Sequence, residues 1–322
     1  MNKETSVFHT FFTRLVDYAG LFPPAKLPLQ EALVNYRSYL DTPDSRILSR
    51  FIITASRLSE LSNELLSQYS AVKPLSLSLI TRDPIEDLPM VSSFISQQEG
   101  RVIVGSLEIP IAADLLASND ELVNKLSQYQ IAIDQLESNL PVFYELLRNK
   151  EYGDQQWKNW SAQLPKFIEA IASHVSSGNS FVGFKLRCGG VEAEMVPSSE
   201  HVTGALLECA AKKVRIKFTA GLHHPFRHDS AKLGVKMHGY FNLFFGAMLA
   251  FAHNVSFNEL SKVIEADQAT GDVVDTGETL SWLGHKLSYQ EVKSFREDYV
   301  ISYGSCSFVE PIEDAKSLGW LL

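Results

Sequence analysis

VRIKFTAGLHHPFRH, residues 214–228, is the stretch whose pattern decides the fold. Val214, Ile216 and Phe218 alternate with Arg215, Lys217 and Thr219, the period of two that marks a strand with one apolar and one polar face. The polar face carries a lysine and a hydroxyl. Ala220 and Gly221 then lead into a loop with His223, His224, Arg227 and His228. Upstream, FVGFKLRCGG repeats the pattern, with Val182, Phe184 and Leu186 on one face and Lys185 and Arg187 on the other. Two consecutive strands thus present a lysine from equivalent positions.

Working outward, the same alternation recurs with helical patterns between its occurrences. RLVDYAGLF (14–22) reads as a first strand with its turn, SRFIITA (49–55) as a second, and PLSLSLIT (74–81) as a third with a small polar face. RVIVGSLEIP (101–110) is a fourth, with Val102, Val104, Ser106 and Glu108 expected on one face, and PVFYELL (141–147) a fifth ending near Glu145. Helices are expected over 27–40, 57–70, 85–98, 112–140, 152–176 and 198–213, the last opened by Ser198 as N-cap. YVISY (299–303) is the eighth strand, GSCSF its loop, and EPIEDAKSLGWL a closing helix.

Eight strands alternating with helices predict one (β/α)8 TIM-barrel domain over residues 1–322. Residues 231–298 are too long for one crossover and read as a helical insertion before the last strand, with helices at 240–252, 257–266 and 289–297. A strand within 272–282 is the alternative there.

Composition narrows the function. With 45% hydrophobic and 21% charged residues the chain has the make-up of a globular protein. A net charge of -9 argues against a nucleic-acid surface, which needs excess Lys and Arg. The longest apolar stretch, GYFNLFFGAMLAFAH, is too short to span a membrane and no signal peptide is evident, so no membrane partner and a cytoplasmic location are expected. Self-association into a homo-oligomer stays open. Cys188, Cys209 and Cys306 are odd in number and lack CxxC spacing, which indicates neither a disulfide framework nor a cysteine zinc site. Cys306 is expected to pack as a small hydrophobe.

In a barrel of this kind one strand face packs on the outer helices and the other points into the lumen, with catalytic groups at the C-terminal end. The apolar faces of strands six and seven suit the helices, which turns Lys185, Arg187, Lys217 and Thr219 inward. Neighbouring strands lie about 4.8 Å apart, so two adjacent lysines repel, and burial adds to that, lowering at least one pKa toward a usable amine nucleophile. A buried lysine can instead simply balance a carboxylate, here Glu108 or Glu145, and a loop rich in His and Arg can hold no ligand at all.

Four segments together resemble the deoxyribose-phosphate aldolase family of class I aldolases: LVDYAGLFPPAKLPLQEA, FKLRCGG, IKFTAGL and SYGSCSF. The resemblance implies a (β/α)8 barrel, a Schiff-base lysine at Lys185, a second lysine at Lys217 and a phosphate-binding turn at Gly304, Ser305 and Ser307. The family's strand-four aspartate has no counterpart, Glu108 being the nearest carboxylate, and Arg187 stands where a small hydroxyl residue is usual. The HHPFRH loop and the insertion are foreign to the family.

The leading expectation is therefore a Schiff-base lyase or aldolase acting on a small anionic carbonyl compound, for example a phosphorylated one, without a cofactor. Lys185 forms the imine, Lys217 depresses its pKa, and Glu108 or Glu145 moves protons. Arg187, Thr219, His223, His224, Arg227 and the turn at Gly304, Ser305 and Ser307 hold the anion. One alternative is a metal-dependent barrel enzyme using Glu108, Glu145 and loop histidines, although no HxH or HExxH spacing exists. Another is a non-catalytic small-molecule-binding barrel.

Overall fold

The computed structural model describes residues 6–112, 119–136, 139–148, 155–176, 178 and 181–321. In chain order, α1 (Val7–Phe12) precedes β1 (Val16–Tyr18), α2 (Leu29–Tyr39), β2 (Leu48–Thr54), α3 (Asn63–Leu66), β3 (Leu75–Ile80), α4 (Pro84–Ser96) and β4 (Val102–Ile111). Then come α5 (Asn119–Leu136), β5 (Val142–Leu146), α6 (Gln156–Ser176), β6 (Val182–Arg187), α7 (Ser199–Ala211) and β7 (Arg215–Thr219). The insertion holds a hairpin of β8 (His228–Ser230) and β9 (Val235–Met237), α8 (Tyr240–Ala252), α9 (Phe257–Glu265), a small antiparallel sheet of β10 (Val274–Asp275), β11 (Thr279–Trp282) and β12 (His285–Ser288), and α10 (Tyr289–Asp298). Last are β13 (Val300–Ser305) and α11 (Val309–Ser317).

Eight parallel strands close into one barrel in the order β1-β13-β7-β6-β5-β4-β3-β2, with β2 pairing back onto β1. The fold is the expected (β/α)8 barrel. The alternating strands orient as their patterns require. Phe184 of β6 meets Phe167 of α6 at 6.0 Å between ring centroids, and Phe218 of β7 meets Phe244 of α8 at 5.2 Å, so the apolar faces look outward onto helices. Lys185 and Lys217 are direct neighbours across β6 and β7, and both are buried on the lumen side.

Three expectations are corrected. In β4 the pairing jumps from Leu77 opposite Val104 to Ser78 opposite Ser106, leaving Gly105 as an extra residue. This β-bulge reverses the phase of the strand. Val102 and Val104 therefore pair with the outward leucines of β3, while Ser106 and Glu108 turn inward beside Ser78 and Ile80. A Cβ at Gly105 would stand 2.7 Å from Arg50 Nε, so glycine makes room for that guanidinium. The amphipathic helix expected over 57–70 is a 3-10 turn over Ala55–Glu60 followed by the single turn of α3. Ser62 caps a new start there, its side chain accepting from the Leu65 N–H. The segment expected to be helical over 231–298 is not all so, since it carries β9, paired with β8 just before it, and the three-stranded sheet, whose β11 falls within the alternative strand region. Of the helices expected over 112–140 and 152–176, residues 113–118, 137–138 and 152–154 lie outside the described residues.

The insertion positions the loop after β7. α8 is buried through most of its length, packing on β7 through Phe244 and on the small sheet through Phe241, whose ring lies 5.3 Å from that of Trp282. Its first turn donates N–H groups of Tyr240 and Phe241 to the carbonyls of His224 and Pro225. Buried Asn242 accepts from the Arg227 N–H and donates to the carbonyls of Val263 and Ala266. A Cβ at Gly239 would collide with the Pro225 carbonyl. The loop is thus clamped on the helix that follows it.

Candidate active site

The lumen holds a connected set of charges where apolar layers would also close a barrel. Lys217 Nζ lies 2.5 Å from Glu108 Oε1, 2.8 Å from Asp17 Oδ2 and 3.0 Å from Ser78 Oγ. Lys185 Nζ lies 2.6 Å from Glu108 Oε2 and 2.8 Å from Glu145 Oε2. Glu145 Oε1 accepts from Arg187 Nε at 2.7 Å. Glu108 thus bridges the two lysines, one carboxylate oxygen to each. Three carboxylates face three cations, and a fourth cation, Arg50, stands 3.9 Å from Asp17.

Asp17 is the member that the sequence reading missed. Its Oδ1 accepts the Arg50 N–H at 2.9 Å and its Oδ2 accepts Ser302 Oγ–H at 2.5 Å as well as facing Lys217. The available signal was an acid between Val16 and Tyr18, on the face of the first strand that turns away from the apolar one. Ser78 and Ser302 were also not named as site residues, and Ser106 only as sharing a face with Glu108, although the small polar face of β3 was visible. Ser78 donates to Glu108 at 2.6 Å and exchanges a 2.8 Å bond with Ser106.

Electrostatics reverse one expectation. Glu108 stands between the ammonium groups, so Lys217 does not dominate the environment of Lys185. Burial pulls the Lys185 pKa down, but the charges of Glu108 and Glu145 outweigh it and the pKa is raised. For the carboxyls burial pushes upward, and the opposing cations push further down: Asp17, Glu108 and Glu145 are all lowered. Lys185 therefore sits as an ammonium in a carboxylate cradle.

A cavity of about 720 Å³ opens above this network. Lys185, Arg187 and Glu108 form part of its floor, whereas Lys217 is fully buried and lines none of it. Arg187 has a side chain 40% exposed, so its guanidinium faces the cavity while its Nε holds Glu145. Thr219, paired directly with Arg187, and Gly304, Ser305 and Ser307 also line the cavity, and the Ser307 N–H donates to Ser305 Oγ at 3.3 Å. Just past β7 the backbone is left-handed at Ala220 and Gly221, φ +67° and +76°. A Cβ at Gly221 would press on Met237 of β9, so glycine allows the hairpin to approach the rim.

No family model matches the chain, and no curated protein matches it. The resemblance to the aldolase family is therefore supported at the level of the barrel and no further.

The histidine loop divides. His223 and His224 line the cavity and are each bound to a carboxylate of α11, Glu310 and Asp314, both at 2.7 Å. Arg227 does not line it: it bonds Ser199 Oγ, stands 3.8 Å from Glu265 and borders a neighbouring pocket that it shares with His224, apart from Arg187, Thr219 and the turn at Gly304, Ser305 and Ser307. Among the described residues no group of three or more His, Cys, Asp and Glu is arranged to hold a metal ion, which leaves the metal-dependent alternative without a ligand set there. No helix among them is long and apolar enough to cross a membrane.

Proposed function

We propose that the protein is a Schiff-base-forming lyase of the aldolase kind, acting on a small anionic carbonyl compound. The observation that carries this reading is the division between two buried lysines. Lys185 borders the cavity and lies within 2.6 and 2.8 Å of two carboxylates, whereas Lys217 is sealed beneath it. Buried ion pairs are no better for stability than apolar packing, so a network this large is more economically read as machinery than as mortar.

In this reading Lys185 gives a proton to Glu108 or Glu145 as the carbonyl compound enters. Ion pair and neutral amine–acid pair are closest in energy where water is excluded. The amine nitrogen adds to the carbonyl carbon, the carbonyl oxygen takes up protons and leaves as water, and an iminium remains. The iminium accepts the electron pair of a neighbouring C–C bond as it breaks, while a carboxylate takes the proton of the departing hydroxyl-bearing fragment. Lys217 keeps Glu108 in place and balances its charge, and is itself anchored by Asp17. Arg187 holds the substrate anion by charge-assisted hydrogen bonds.

Incubation with small phosphorylated and carboxylated aldehydes and ketones, followed by borohydride and intact-mass measurement, tests the proposal. A stable adduct with at least one such compound is expected. Absence of any adduct across the series, at pH values from 6 to 10, refutes it.

A further inference from the structure

A second reactive constellation borders the same cavity. Cys306 follows the end of β13 and is partly exposed, with its Sγ 3.5 Å from His223 Nε2. The other nitrogen of that ring, Nδ1, lies 2.7 Å from Glu310 Oε2 on α11. Thiol, imidazole and carboxylate form one chain, nucleophile to base to orienting acid, the arrangement by which cysteine nucleophiles are activated. All three line the cavity that Lys185 and Arg187 floor. The other two cysteines differ. Cys188 and Cys209 are fully buried, and burial raises both thiols out of reach of ionisation.

We propose that Cys306 is a second nucleophile, ionised by His223 with Glu310 orienting the ring, and that it adds reversibly to aldehydes entering the cavity. The thiolate sulfur bonds to the aldehyde carbon, the C=O π pair moves onto oxygen, and the imidazolium Nε2–H protonates that oxygen. A neutral thiohemiacetal and a neutral His223 result. Nothing is oxidised, no group leaves and no co-reactant is needed. An aldehyde is the electrophile this chain completes unaided, because the imidazolium returns the one proton that addition requires and no separate donors are needed for both an oxyanion and a leaving group. The inference stands whether or not Lys185 forms an imine.

The surroundings favour a charged His223 ring. Hydrogen bonding to Cys306, opposed by burial and joined by Glu310, raises His223 to about 9, so the ring is a cation at neutral pH. The other titratable groups that face this chain are Tyr18 of β1, pushed up to about 12 by burial, His224 and His228 of the loop, and Asp314 of α11. His224 is held by Asp314, and burial lowers His228.

Iodoacetamide alkylation of Cys306, followed by peptide mass mapping from pH 6 to 8, tests the ion pair. A free thiol with a pKa of about 8.5 would react roughly 75-fold faster at the upper end than at the lower. The intact protein should show less than about a threefold change, and His223→Ala should restore the steep rise. A steep rise in the parent protein overturns the proposal, and that profile decides even should the variant fail to fold. Glyceraldehyde then tests the ligand class: it should slow alkylation at pH 7 several-fold, both in the parent and in Lys185→Met. Loss of protection in Lys185→Met would mean that imine occupancy alone shields the thiol, and would overturn the aldehyde assignment while leaving the Lys185 reading intact.

Discussion

Glu108→Gln is the substitution that bears most on the network, because one carboxylate there serves both lysines at 2.5 and 2.6 Å. Glutamine keeps the size and an acceptor for the Ser78 hydroxyl but removes the charge. Lys217 is left with Asp17 and Lys185 with Glu145, both ammonium groups remaining at most 4% exposed. Breaking a buried pair from one side costs about 3–5 kcal/mol. For a chain of 322 residues the unfolding entropy is about 0.7 kcal/mol per kelvin, so the midpoint should fall by about 4–7 °C. The same change removes the larger of the two charges that raise the Lys185 pKa, so the amine should be released at lower pH. Calorimetry reads the first effect and borohydride trapping against pH the second, with a trapping midpoint displaced toward acid. A variant with unchanged Tm and an unchanged trapping profile would show that Glu108 does not bridge the lysines.

Further outcomes follow from neighbouring contacts. Lys217→Met strips Asp17 and Glu108 of their shared cation, so stability should fall by about 3–5 kcal/mol and trapping at Lys185 should shift toward alkaline pH, as titration of the adduct yield will show. Arg187→Ala should weaken an anionic carbonyl probe by about tenfold, the low end for a charge-assisted bond because the guanidinium is half-exposed, while a neutral probe of the same size binds nearly as before; equal losses for both would remove Arg187 from anion binding. Stability against pH should form a plateau. The lowered carboxyls Asp17, Glu108 and Glu145 contribute above their unfolded pKa of about 4, and this is lost as pH falls toward their folded values. The raised Lys185 contributes fully below its unfolded pKa of about 10.4, and this is lost as pH rises through its folded value. Denaturant midpoints from pH 3 to 11 check both limbs.

Strand periodicity made much of this molecule legible. Alternation in 182–187 and 215–219 specifies which side chains enter the lumen, because a strand can bury its apolar face on helices in one way only. Lys185, Arg187, Glu108 and Glu145 converge as that argument requires. The β4 bulge escaped it, since one inserted residue at Gly105 reverses the phase without changing composition. Asp17 escaped because its partner is 200 positions away, across the barrel seam where β1 meets β13. The direction of the Lys185 shift was open in the sequence, which offered both a neighbouring lysine and the carboxylates of Glu108 and Glu145 as its surroundings; the distances of 2.6 and 2.8 Å to those carboxylates decide it. Arg227 looked like a member of the histidine loop's site, yet the grip of α8 on that loop turns its side chain toward Ser199 and Glu265.

The most direct test of the central claim is the position of the label. A carbonyl compound that forms a borohydride-stable adduct should, after proteolysis and tandem mass spectrometry, be found on Lys185, the lysine that borders the cavity. Lys185→Met should then lose the adduct at every pH while Lys217→Met retains it at alkaline pH. An adduct on Lys217, or one that survives in Lys185→Met, would contradict the account.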